Sequence, residues 1–214
     1  MKILSINKAF DPSIAVFAEE NKILFSFKES QPYNRLNNVL FIIDKLFEEL
    51  SFKPRNIDIL SIVYGPGSFT GTRIGVVEGK IIAYALKKPI LPINSLELIA
   101  FNIPGTVNSI IPAGKNEYFI GKFKNGNRID SDKIITLENL KKLKGFIVSP
   151  YEKIARVVEE KNFKLVVIEP ENLIKLSIIK LKKGKILNDP LSLNPVYLHA
   201  IDIIFKKFKN IKNG

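Results

Sequence analysis

The stretch Tyr64-Gly-Pro-Gly-Ser-Phe-Thr-Gly-Thr-Arg73-Ile-Gly75 holds the residue types best suited to receive an anion. Gly65, Gly67 and Gly71 can take positive φ without a Cβ penalty, and Pro66 fixes one φ between them. An apolar run, Ile57 to Val63, leads in, and an apolar-rich helical pattern, Ile74 to Leu86, leads out. Strand, glycine turn and helix start in succession offer backbone N–H groups to a phosphate. Ser68, Thr70 or Thr72 can cap that helix. Two phosphate motifs nevertheless fail. No lysine follows Gly71, as the Walker pattern requires, and Thr70 stands where the dinucleotide pattern needs glycine. By backbone chemistry alone, a phosphate loop of Gly65, Gly67, Ser68, Thr70 and Gly71 and a purely structural turn are equally good readings.

Other chemistry finds little material. Cys is absent and His199 is the single histidine, so no metal-ligand spacing of the usual kinds occurs. A Ser–His–Asp triad could draw only on His199, which has no nucleophile-elbow sequence to serve. Paired carboxylates of the glycosidase type stay open, because spatial pairs do not show in a sequence. No catalytic residue and no metal ligand is assigned.

The 214 residues are 46% hydrophobic, enough for one large domain or two compact lobes. No apolar run approaches the roughly 18 residues of a membrane span. The chain enters a strand almost at once, leaving no visible signal peptide. A soluble, cytoplasmic protein with no membrane partner is the expectation. Net charge is +12, carried almost wholly by lysine. Clusters stand at Lys141, Lys142 and Lys144, at Lys180, Lys182, Lys183 and Lys185, and at Lys206, Lys207 and Lys209. Such a field attracts polyanions, but lysine clusters without interleaved aromatics are equally well solvated helix faces.

The elements that must position the glycine stretch follow from periodicity. Lys2–Ile6, Ser13–Ala18 and Lys22–Ser26 read as short strands, the first two separated by an Asp11-Pro12 turn. Leu36, Val39, Leu40, Ile43, Phe47 and Leu50 form one face of a helix over Asn34–Leu50. A helix from Thr72 to Leu86 comes after the glycine turn, then a strand at Ile90–Pro92 and a helix capped by Ser95. Pro104-Gly105 marks a lobe boundary, giving lobes 1–103 and 104–214. Beyond it, Val107–Ile111 and Tyr118–Phe123 read as paired strands, followed by a tight turn at Asn125-Gly126-Asn127. Gly145–Val148, a helix at Glu152–Glu160 and a strand at Leu165–Ile168 form a βαβ-like unit. Helices at Glu171–Lys183 and His199–Phe208 complete the pattern, and no internal sequence repeat is visible.

The wording of the central motif adds what its geometry cannot. Gly65-Pro-Gly-Ser-Phe-Thr-Gly-Thr-Arg-Ile-Gly75 resembles the GPGSFTGLRIG segment of the TsaB (YeaZ) family. The resemblance continues upstream to Lys2–Ile6 and downstream through Pro89 to Ser95-Leu-Glu-Leu98. Fainter echoes are Ala113-Gly-Lys-Asn-Glu117-Tyr-Phe119 and Pro195-Val-Tyr197-Leu198. The strong match covers the first half of the chain. Three departures accompany it. Asn7-Lys8-Ala9 replaces the family's Asp-Thr-Ser; Arg35, Leu36 and Asn37 replace its His-Ser-Glu; and His199 stands in place of an Arg.

The resemblance implies an α/β fold, actin-like (ASKHA, ribonuclease-H-like), with two lobes of which the second is degenerate. It implies a non-catalytic subunit that binds and activates a TsaD-like catalytic subunit. Together these would place a threonylcarbamoyl group on the adenosine beside the tRNA anticodon, with a TsaE-like ATPase as third protein. tRNA would be met through the complex, and a homodimer of the chain alone is left open. No cofactor is intrinsic, though weak or partner-shared ATP or ADP is compatible with the loop. In that family the two long helices build the partner interface. Here this points to Phe41 and Ile42 on the first helix and to Gly75, Gly79 and Ala83 on the second. Those small residues, four apart, form a smooth ridge that could meet a partner helix or pack internally. The alternatives are an independent actin-like ATPase or kinase, which would want an acidic Mg²⁺ ligand where Asn7 stands, and a peptidase, for which nucleophile and metal ligands are missing.

Overall fold

The first strand, β1 (Lys2–Asn7), sends Ile3 to one face and Leu4 and Ile6 to the other, all buried. A strand apolar on both faces belongs in the middle of a sheet covered twice. β1 pairs antiparallel with β2 (Ser13–Glu19) and parallel with β4 (Ile59–Gly65). β2 turns back into β3 (Lys22–Glu29), and β5 (Ile90–Asn94) continues parallel beyond β4, giving the order β3-β2-β1-β4-β5. A meander followed by parallel strands is the order of an actin-like, ribonuclease-H-like lobe. The structure is a computed structural model that describes residues 1–29, 44–45, 47–49, 53–158 and 162–196.

The second sheet repeats this plan. β6 (Thr106–Gly114) turns antiparallel into β7 (Glu117–Lys124), which pairs with β8 (Asn127–Arg128) and β9 (Lys133–Thr136). β10 (Phe146–Ser149) then runs parallel to β6, and β11 (Phe163–Leu165) parallel to β10. The order β8-β7-β6-β10-β11 matches the first sheet strand for strand. It is the worn copy. The seven residues of β4 and five of β5 correspond to four in β10 and three in β11. Between β4 and β5 lies α1 (Phe69–Leu86), 18 residues long; between β10 and β11 the described residues hold a 3₁₀ turn at Glu152–Ile154. The helix expected at Glu152–Glu160 is therefore replaced, over its described part, by this turn. Glu152-Lys-Ile-Ala-Arg-Val-Val buries Ile154 alone, too little apolar surface to hold a long helix.

Helices sort to the faces. α1 packs on β4, β1 and β5 and closes the outer face with Leu60, Ile62, Val76, Ile82 and Ala83. α2 (Ser95–Ala100) lies between the sheets, against β4 and β5 on one side and β6, β7 and β10 on the other. α3 (Leu137–Lys141) covers β7 and β9. α4 (Pro170–Lys182) crosses back to β1, β2 and β5 of the first sheet. Its Ser177 Oγ donates to Leu173 O at 2.7 Å and meets Ser61 Oγ of β4 at 2.6 Å, a buried hydroxyl relay that fixes its height on the sheet. One core joins both sheets through these two inner helices, from Ile3 and Val16 to Phe123, Val148 and Leu173.

Some boundaries move. β4 begins at Ile59 because Ile57 still closes a 3₁₀ turn over Pro54–Asn56, its N–H donating to Pro54 O at 3.1 Å. α1 begins at Phe69 because Ser68, not Thr72, accepts from the N–H of Gly71 at 3.3 Å. The cap of α2 is Asn94 rather than Ser95, with its carboxamide oxygen accepting from Leu96 and Glu97. β11 ends at Leu165, the first residue of the strand expected over Leu165–Ile168. Residues 44–45 and 47–49 are helical. The other residues of the helix expected over Asn34–Leu50, Phe41 and Ile42 among them, and the segment bearing His199 lie outside the described residues.

Candidate functional site

The glycine loop is built by contact with the end of β1. Gly65 ends β4 at φ +106°, a backbone that other residues rarely adopt. A Cβ on Gly67 would come within 2.8 Å of the Ala9 carbonyl carbon, and one on Gly71 would collide with the Lys8 carbonyl oxygen. Both glycines are thus required for the chain to pass β1 at backbone distance. Ser68 N–H donates to Ala9 O at 2.6 Å, and Thr72 N–H to Ser68 O at 2.9 Å. With Gly71 N–H taken by the Ser68 side chain, these loop donors are already engaged inside the protein. Thr70 sits exposed in the first turn of α1.

Asn7 stands where an acidic residue would serve a metal–phosphate group, and its carboxamide is fully engaged. Its NH₂ donates to Phe10 O at 3.1 Å and to Pro12 O at 2.8 Å, and its oxygen accepts from Ala9 N–H at 3.1 Å. It is fully buried. Beside it, Lys8 lies along the helix. Its Nζ sits 2.8 Å and 3.1 Å from the two oxygens of Glu78, with Lys8 3% exposed and Glu78 17%. A buried pair of this kind is held by direct charge attraction and hydrogen bonding; because both ions have given up water, neither tolerates losing the other. Sequence inspection missed this pair because its members are 70 residues apart.

The small-residue ridge points inward, correcting the expectation that Gly75, Gly79 and Ala83 face a partner. Gly75 packs on Lys8 Cβ, and a Cβ on Gly79 would fall within 2.7 Å of Ile62 Cγ1. Ala83 is 0% exposed within the same cluster. Close approach is used here to seat α1 on its own sheet. The opposite side of α1 carries Phe69, Val77, Ile81 and Tyr84, exposed by 62%, 52%, 59% and 64%. Arg73 lies 3.6 Å above the Phe69 ring on the same side. At about 100° per residue these five positions fall within one third of the helix circumference.

A second polar cluster ties the lobes. Asn94 Nδ2, at the end of β5, donates to Asp132 Oδ2 at 2.9 Å, and the same carboxylate receives the Arg128 guanidinium. Arg128 also lies 4.7 Å over the Phe123 ring. Burial pulls the Arg128 guanidinium below its ordinary value, opposed by the carboxylate of Glu97. Glu97 is held in turn by Lys180 Nζ of α4 at 2.5 Å. Among the described residues no group of three or more His, Cys, Asp or Glu side chains could hold a metal ion, and no helix is long and apolar enough to cross a membrane.

Comparison with known proteins identifies the lineage. The family model described as TsaD, tRNA N6-adenosine threonylcarbamoyltransferase, matches residues 33–182, more than half of the chain. The tRNA threonylcarbamoyladenosine biosynthesis protein TsaB of Bacillus subtilis is 28% identical over 132 residues, 59% of this chain and 57% of that protein. The tRNA N6-adenosine threonylcarbamoyltransferase of Prosthecochloris aestuarii is 24% identical over 132 residues, 55% of this chain and 38% of its own. The matches thus span little more than half the length of these curated relatives, or less. Among solved structures, YeaZ from Pseudomonas aeruginosa superposes with a TM-score of 0.77 at 18% identity, over 92% of this chain and 99% of that one. A second Pseudomonas aeruginosa structure, described as similar to peptidase YeaZ, gives 0.78 at 19% identity with the same coverage. Both carry the two-lobed fold over nearly the whole chain. With its glycine motif, its repeated strand order and a family match across most of its length, this chain belongs to the TsaD family and is similar to the TsaB (YeaZ) proteins.

Proposed function

We infer that this chain is a non-catalytic subunit of a tRNA threonylcarbamoyladenosine-forming complex, which binds a TsaD-like catalytic subunit and stabilises its active form. The observation that carries this is the outer face of α1. Four large apolar side chains, each more than half exposed along one 18-residue helix, form the kind of stripe that a partner helix covers. The partner interface is accordingly proposed at Phe69, Arg73, Val77, Ile81 and Tyr84, with Phe41 and Ile42 of the preceding segment as further candidates.

The loop and its surroundings fit a nucleotide poorly. Asn7 has neither charge nor an unengaged polar atom for Mg²⁺, and Ser68, Gly71 and Thr72 donate their N–H groups inside the protein. Lys8, whose backbone packs on Gly71, is paired with Glu78. ATP or ADP should therefore bind the isolated chain only weakly, in the high-micromolar range or above. Titration calorimetry with Mg²⁺–ATP checks this, and tight binding would favour the ATPase alternative. Neither peptidase nor transferase turnover is expected of the chain alone.

The decisive experiment mixes this chain with the TsaD-like protein of the same genome and measures complex mass and transferase activity. Association with stimulation supports the subunit role. Absence of a complex at micromolar concentrations sinks it.

A further inference from the structure

We propose that the turn between α3 and β10 is a docking groove for the sugar–phosphate backbone of RNA. Lys141, Lys142 and Lys144 line one concave site of about 290 Å³ together with Asn162, over an apolar floor of Ile147 and Val158. Among the described residues no carboxylate lines it. All three lysines are exposed, and among the described residues none has an ion pair. Cations over a low-dielectric floor project a stronger field than the same charges on an open face.

The turn is built rather than loose. Asn108 of β6, 4% exposed, donates its amide to Lys144 O at 3.2 Å, and Gly145 takes φ +98° to let the chain drop into β10. Those two residues hold the lysines on one rim. Lys122, exposed on β7 and opposite Asn108 in the β6–β7 register, extends the positive surface along the sheet. The volume sits near the lower limit of small-molecule sites, which suits one repeat of a polyanion better than a whole folded cofactor. Lysine binds phosphate as a point charge without reading sequence, so the groove would position RNA rather than select it. The choice of RNA over another polyanion rests on the tRNA-modification role proposed above.

The test uses the whole chain and an unmodified tRNA transcript, with anisotropy followed from low to moderate salt. The variant Lys141→Gln, Lys142→Gln, Lys144→Gln is compared with a control of equal charge loss, Lys182→Gln, Lys183→Gln, Lys185→Gln, on exposed positions elsewhere. The groove variant should bind about tenfold more weakly, and its log–log salt slope should shrink by roughly 2 to 3, close to one per lost phosphate contact. The control should change little. Equal loss in both variants, or wild-type binding too weak to measure at low salt, overturns the proposal. So does tighter binding to phosphatidylglycerol vesicles than to RNA. Association with the TsaD-like subunit is measured on the same samples. A complex that survives while the groove variant binds RNA like wild type removes the groove and leaves the subunit role. Groove-dependent RNA binding without any complex does the reverse.

Discussion

At the residue scale, two side chains decide what the glycine loop can do. The Asn7 carboxamide donates to two carbonyl oxygens and accepts one N–H, so an aspartate there would set a carboxylate against two acceptors. Asn7→Asp is expected to lower stability by about 1–3 kcal/mol, the cost of buried groups left unpaired, without creating tight Mg²⁺–ATP binding. Thermal melts and calorimetry on the one variant check both halves. Lys8 makes the complementary point. With its ammonium 3% exposed, Glu78→Gln should cost on the order of 3 kcal/mol, whereas Lys8→Met combined with Glu78→Leu should recover most of the loss. A single variant as stable as wild type would mean that the pair holds little.

At the element scale, α1 has two opposed faces, and they predict opposite phenotypes. Gly79 touches Ile62 of its own sheet, so Gly79→Leu should overpack the core and cost at least about 1–3 kcal/mol. Any folded remainder should still find its partner. Ile81, 59% exposed, should accept aspartate with little change in melting temperature, yet Ile81→Asp should abolish association by placing a charge in an apolar contact. Sedimentation and melting curves on both variants separate these outcomes, and association unaffected by Ile81→Asp would refute the outer stripe. The motif, a helix opening from the glycine turn and the strands on either side of it were legible in the residues, whereas the choice of Ser68 as cap, the start at Phe69 and the parallel β4–β5 pairing were not. Which side of the helix faces in was not. Three small residues four apart suit a sheet and a partner helix equally well, and Ile62, which decides, belongs to another strand.

At the scale of the whole molecule, the two sheets share a core and a polar clasp. Asp132 receives both Asn94 of the first lobe and Arg128 of the second. Because the apolar cluster runs from Ile3 to Val148 without a break between lobes, calorimetry should show one cooperative transition. Asp132→Ala should lower it by about 1–3 kcal/mol, since Arg128 and the Asn94 amide both lose their acceptor. Two separated transitions would mean that the lobes unfold independently. The weakened second copy explains the molecule's asymmetry. Short β10 and β11 with a 3₁₀ turn between them offer little of the helical surface that α1 provides on the first lobe.

What the sequence determined by itself was local and periodic. It held the glycine turn with its strand and helix, the short strands of both meanders, the absence of thiol chemistry and the family likeness in an eleven-residue segment. These depend on neighbouring residues and on steric preferences that act over a few positions. Tertiary structure decided the rest. It engaged Asn7 with carbonyls of the following turn and joined Lys8 to Glu78 across the first lobe. It turned the small-residue ridge onto Ile62 and gathered Lys141, Lys142 and Lys144 around one groove. The Lys8–Glu78 and Gly79–Ile62 contacts join residues distant in the chain, brought together only when helix and sheet pack, and no spacing along the chain encodes the face on which they meet.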